Sequence, residues 1–307
     1  MHSISTMHSK QTKKLSLLWL QGMSCNGNAH SFLNYTHLEK LLDSFTVLYH
    51  PILASQYTLE EVLELQLSCD VLIVEGSYNS TMYRGGVLFD TFLKHYAKNA
   101  QTIIAAGSCA TYGGIFYEKD PKNSSGMIFT KEQEGGVLSN YKEKIINLPG
   151  CPIHPQWLGY VLEMVAAKKT IALDNQYRPQ ELFSTLAHHG CTRNEYFEWK
   201  VDADDFGKKE GCLFYNQGCR APMTHASCNK ILWNEVSSKT RIGTPCFGCT
   251  EADFPRQNLF STKTNMSIPQ DVPLGVSKRA YLSIVGIAKT FHIERLEGKL
   301  IDYKKTN

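Results

Sequence analysis

The sequence predicts an α/β protein, a doubly wound parallel sheet followed by a smaller, irregular unit. Three observations predict it. Short apolar runs alternate with helix-patterned segments through the first half of the chain. Glycine and proline punctuate the ends of most of those runs. After about residue 185 the alternation stops, and six of the ten cysteines fall in what remains.

Taken in order, LSLLWL (residues 15–20) is an apolar run with a turn signal after it, and reads as a strand. Leu33, Leu38, Leu41 and Leu42 form a stripe at helical spacing, so residues 32–42 read as one helix. FTVLYH is a strand. In TLEEVLELQL, Thr58 caps an acidic first turn, a good helix start. DVLIVEG is a buried strand, residues 86–97 are helical, QTIIAAG and KIINLPG are strands, and residues 154–168 close the series as a helix. Strands alternating with helices argue for a parallel sheet covered on both faces.

Composition bounds the function. The chain has 307 residues, 42% hydrophobic and 20% charged, enough for two domains. A formal charge of +3 with scattered lysines is too small to argue for nucleic acid. No apolar run approaches the roughly 20 residues of a membrane helix. The opening MHSISTMHSKQTKK has neither an apolar h-region nor a twin arginine, so the expected location is cytoplasmic. Thiols stay reduced there, and ten cysteines then suggest metal rather than disulfides. Cys69, entering the DVLIVEG strand with no other ligand type beside it, reads as a small buried hydrophobe. Trp19, Tyr112 and Trp157 read as core or interface.

In open parallel sheets, ligands bind beyond the carboxyl ends of the strands. Cys25, Glu75, Cys109 and Cys151 each follow or end a strand of this pattern, so four loops distant in sequence should meet on one rim. Glycine and proline flank each of these cysteines, which lets backbone N–H groups approach a negatively charged cluster sulfur. The second half carries HHGC, CLFYNQGC, THASC and PCFGC. HxxC and CxxC spacings bring two ligands of one turn to one metal centre, and zinc and iron–sulfur sites both use them. Six cysteines and a histidine do not divide into zinc sites of four. They do divide into a His-plus-three-Cys cluster and a three-Cys cluster.

The ordered set LLWLQGMSCNG, VEG, GSCATYGG, LPGCPIHP, HHGC, CLFYNQGCRAP and CFGCTEADF, from about residue 15 to residue 260, resembles the small subunit of a [NiFe] hydrogenase. The resemblance implies a flavodoxin-like domain over residues 13–185 and a cluster-binding domain over residues 186–307. It implies three iron–sulfur clusters in a row, passing electrons between the nickel–iron site of a large subunit and an external acceptor. Carried over by position, Cys25, Cys109 and Cys151 match three of the four ligands of the proximal cluster. His188, Cys191, Cys212 and Cys219 match the distal cluster, with His189 a rival that the HxxC spacing disfavours. Cys228, Cys246 and Cys249 match the medial cluster. Glu75 matches the family's VEG glutamate, implying a proton route or the subunit interface. A carboxylate that only accepts loop N–H bonds fits equally well. The implied partners are a large subunit, in a heterodimer or a dimer of heterodimers, and an acceptor protein or quinone-linked carrier. Neither nucleic acid nor an integral membrane segment is expected.

Three positions depart from the family's pattern. Asn28 stands where the family has cysteine, so the fourth iron of a proximal [4Fe–4S] cluster would face Asn28, water or His30, or be lost to leave a [3Fe–4S] centre. The medial set has three cysteines, with Lys239 at the position of a fourth ligand, which favours [3Fe–4S] over [4Fe–4S]. One extra residue separates Cys212 from Cys219 in the distal [4Fe–4S] set. The tail PLGVSKRAYLSIVGIAK resembles an amphipathic closing helix of cytoplasmic relatives. The main reading is therefore H2 oxidation with electrons leaving through the three clusters. The alternatives are the small subunit of a regulatory H2-sensing hydrogenase, a quinone-reductase-type subunit with one cluster, and a zinc-binding scaffold.

Overall fold

The structure is a computed structural model and describes residues 13–290. The N-terminal stretch before residue 13 and the chain beyond residue 290 lie outside it, including the start of the segment read for export signals and the end of the expected second domain. Five strands form the central sheet: β1 (Leu15–Gln21), β2 (Phe45–Tyr49), β3 (Val71–Glu75), β4 (Thr102–Ala106) and β5 (Ile145–Leu148). They lie in the order β2-β1-β3-β4-β5, all parallel. That is the flavodoxin-like order, whose switch point lies between β1 and β3.

The sheet sorts its side chains by alternation. Trp19, Ile73, Ile104 and Leu148 face one apolar cluster; Leu18, Leu72, Ile103 and Ile145 face the other. Helix α1 (Gly27–Phe32) and the long helix over Pro155–Ala166 cover the first face. Helices over Leu59–Leu65 and Phe89–Asn99 cover the second. Cys69 is buried in that second cluster, where burial pushes its thiol up to about 12. The first cluster does not stop at the sheet. It runs on into Ala187, Leu213, Cys219 and Cys246, so the cysteine-rich half packs on the same face. From residue 185 to residue 277 the described chain contains only short helical turns and two-residue strands.

Two helices differ from the sequence pattern. Of the helix expected over residues 32–42, only α2 (Leu38–Leu42) forms, apart from Phe32, which ends α1. Tyr35 breaks it. Its ring sits against Gly159, where any Cβ would strike it, and its hydroxyl donates to Glu163 at 2.8 Å. The helix expected from residue 86 begins at Phe89, because Gly85 and Gly86, both at positive φ, turn a hairpin between Tyr83–Arg84 and Val87–Leu88. The expected closing helix is present as Lys278–Thr290. Tyr281 is its buried contact, against Phe214, while Leu282, Ile284 and Ile287 are exposed.

Candidate metal centres

Strand register builds the rim. Gln21 pairs with Glu75, Glu75 with Ala106, and Ala106 with Leu148, so four adjacent strands end level. Cys25, Cys109 and Cys151 follow three of these ends. Burial is the main cause that raises the Cys109 and Cys151 thiols; the charge of Cys25 adds to it at Cys109, and the charges of Cys249, Cys109 and Cys25 add to it at Cys151. The loops leave no spare room. A Cβ on Gly27 would stand 3.2 Å from the Cys25 Sγ, and one on Gly114 would stand 2.6 Å from the Cys109 Sγ.

Glu75 and Asn28 tie this rim together. Glu75 is wholly buried; its Oε1 accepts the Asn28 N–H at 2.9 Å and its Oε2 accepts the Trp19 indole N–H at 3.0 Å. The Asn28 side chain is buried too. Its Nδ2 donates to the Ala106 carbonyl at 3.2 Å and its Oδ1 accepts the Ile153 N–H at 2.9 Å. One amide thus crosslinks the loops after β1, β4 and β5. Gly107, at φ 87°, leaves the space that the amide fills. His30, two residues further along α1, is exposed.

Ser108 joins the rim to the second half. Its Oγ accepts the Gly150 N–H at 2.9 Å and donates to the Cys249 carbonyl. Arg178, almost fully buried, bonds Asp174 at 2.8 Å and the Thr250 carbonyl at 3.4 Å. Sequence reasoning missed Ser108 and Arg178. A serine in a Gly-rich turn and an arginine after a tyrosine carry no spacing signal of their own.

Cys228, Cys246 and Cys249 line a cavity of about 540 Å³ that also reaches Cys151. Burial pushes the Cys228 and Cys246 thiols far up. Lys239 lies on the same wall with its Nζ 4.1 Å from the centre of the Phe247 ring. His188, Cys191, Cys212 and Cys219 line one further pocket. His189 is not among its lining residues. Burial lowers His188 to about 4, with smaller contributions from the charges of His189 and Lys200, so its imidazole is neutral and able to ligate. Burial pushes Cys212 and Cys219 each up to about 12. Between them runs a short helix, Phe214–Gln217, that Gly218 ends at φ 68°.

The donor chemistry fits iron–sulfur ligation. A thiol held protonated by burial gives up its proton when a metal replaces it. Backbone N–H groups already point at several of the sulfurs: Arg193 to Cys191, Phe214 to Cys212, and Cys246 to Cys219, at 3.3–3.4 Å. Among the described residues, no three His, Cys, Asp or Glu side chains are placed to share a single metal ion; the donors are spread around cavity walls. The described residues contain no helix long and apolar enough to cross a membrane.

Two family models match this chain: the C-terminal part of the NiFe/NiFeSe hydrogenase small subunit over residues 183–261, and the 20 Kd subunit of NADH ubiquinone oxidoreductase over residues 25–165. The periplasmic [NiFe] hydrogenase small subunit of Solidesulfovibrio fructosivorans is 31% identical, with 78% of each chain covered. The F420 non-reducing hydrogenase I small subunit of Methanosarcina mazei is 32% identical, covering 78% of this chain and 73% of its own. Among solved structures, the [NiFeSe] hydrogenase of Dm. baculatum superimposes with a TM-score of 0.68 at 25% identity, over 82% of this chain and all of that one. With its flavodoxin-like sheet and its cysteine-lined cavities, this chain belongs to the family of [NiFe] hydrogenase small subunits.

Proposed function

We propose that this chain is the electron-transfer subunit of a [NiFe] hydrogenase, carrying electrons from H2 oxidation on a partner large subunit through three iron–sulfur clusters to an acceptor. The observation that carries the reading is the order of the cysteines in space. Cys151 of the first set and Cys249 of the second line one cavity. Cys246 of the second donates its N–H to the sulfur of Cys219 in the third, at 3.3 Å. Each set therefore adjoins the next, as a relay of one-electron carriers requires.

In this reading Cys25, Cys109 and Cys151 hold a proximal [4Fe–4S] cluster. Asn28 would be the neutral side chain offered to its fourth iron, because Oδ1 keeps one lone pair after accepting from Ile153. Cys228, Cys246 and Cys249 hold a medial [3Fe–4S] cluster. His188, Cys191, Cys212 and Cys219 hold a distal [4Fe–4S] cluster. Bound clusters supply reversible one-electron redox chemistry. The protein's own part is to fix the sulfurs, aim N–H groups at them and exclude water. Glu75 holds the Asn28 loop against Trp19; a role in a proton route is tested by Glu75→Gln, and unchanged H2 turnover with normal assembly would remove it. The unit over residues 13–185 carries the first site and the unit over residues 186–307 the other two. The assembly is a heterodimer in the cytoplasm. Rapid H2-dependent reduction of an artificial acceptor by the purified complex is the expected result. Slow turnover together with a stable complex with a signalling kinase would favour the sensor reading instead.

A further inference from the structure

We infer that Lys239 supplies a fixed positive charge at the junction of the first two cluster sites and holds the middle cluster's reduction potential above the value its three thiolates alone would set. The inference rests on the ligand sets proposed above. Lys239 is half-buried in the wall of the cavity that Cys151, Cys228, Cys246 and Cys249 share. Its Nζ lies 4.1 Å from the centre of the Phe247 ring, and Phe247 directly follows Cys246. A cation over an aromatic face is held by the ring quadrupole, so the ammonium has a defined seat.

The main chain around it is pinned as well. The Lys239 carbonyl accepts the Thr244 N–H at 2.9 Å. Its neighbours Ser238 and Thr240 are buried, and the Thr240 carbonyl accepts from the Arg193 guanidinium at 2.7 Å. Reduction adds negative charge to a cluster, and a nearby cation stabilises that added charge. Beside two negative centres, the same cation would also offset part of their mutual repulsion when both hold an electron. A protonated amine does not ligate iron, so the charge stays available.

The test is an EPR-monitored redox titration of the intact two-subunit complex, with iron analysis, on wild type, Lys239→Met and Lys239→Arg. Lys239→Met should shift the middle centre's midpoint to more negative potential, the first centre's by less, and the distal centre's not at all. Iron content should be unchanged, and Lys239→Arg should titrate close to wild type. An unmoved middle midpoint in Lys239→Met overturns the inference. So does an equal shift of all three centres, which would indicate a general structural change, or a new cluster type in the variant, which would make Lys239 a ligand. A wild-type complex with no middle-centre signal defeats the three-cluster reading itself, and the role of Lys239 with it.

Discussion

Asn28→Ala tests the crosslink at the rim most sharply. The substitution removes both hydrogen bonds of the amide and leaves the Ile153 N–H and the Ala106 carbonyl without that partner. Both residues are wholly buried, so water cannot replace the amide without opening the loops. An orphaned buried donor or acceptor costs about 1–3 kcal/mol, giving roughly 2–6 kcal/mol for the pair. Against a typical domain stability of about 5–15 kcal/mol this is large. The effect should be local first, because the three loops meet only at the strand ends. Hydrogen exchange followed by mass spectrometry on the native complex reads it directly. The Ile153 amide alone should exchange about 5- to 150-fold faster, the factor that about 1–3 kcal/mol supplies. Asn28→Asp keeps the bond to Ile153 but sets a carboxylate oxygen against the Ala106 carbonyl, so it should loosen the residue 106 side more than the residue 153 side. Unchanged exchange across residues 150–154 in Asn28→Ala would refute the crosslink.

Other consequences follow from single contacts. Gly114→Ala would place a Cβ 2.6 Å from the Cys109 sulfur at a residue with φ 50°; the purified complex should lose the iron and EPR signal of the proximal centre, and retention of both would show that the loop yields. His188→Ala should remove the distal EPR signal while leaving the other two, whereas His189→Ala should leave all three. His50 gives a pH dependence. Burial lowers its pKa to about 4 from 6.5, and its Nδ1 accepts the N–H groups of Ile52 and Leu53 at 3.1 and 3.0 Å. The unfolded chain therefore takes up a proton that the folded chain refuses between those two values. Stability is full above pH 6.5 and falls as pH drops toward 4, by about 2 kcal/mol at pH 5 from this residue. Acid unfolding of His50→Asn, which keeps an acceptor and does not titrate, should be shallower over that range; an identical curve would contradict the assignment.

The sheet was legible because its signal is local. Runs such as VLIV and TIIAA are buried on both faces, and Gly76, Gly107 and Gly150, all at positive φ, mark where the chain leaves the strands. The cysteine loops were legible for the same reason, once strand ends fixed their side of the sheet. What stayed hidden depends on contacts between distant segments. Leu33 and Leu38 look like one helical stripe until Tyr35 is drawn to Gly159 and Glu163 on another helix. Asn28 looked like a replaced ligand, and nothing near it in sequence announces that its amide spans to residues 106 and 153. Trp19 reads as core, and it is, yet its indole N–H also steadies Glu75. Ser108 and Arg178 join the two halves through backbone carbonyls, which leave no pattern in the amino-acid order.

The most direct test of the central claim is iron and acid-labile sulfide analysis combined with EPR on the native complex, with zinc measured on the same sample. Two [4Fe–4S] centres and one [3Fe–4S] centre predict roughly 11 iron atoms and roughly 12 sulfides in this chain, with a [3Fe–4S] signal in the oxidised state. A colourless protein with zinc in place of iron, or iron and sulfide sufficient for only one cluster, would contradict it.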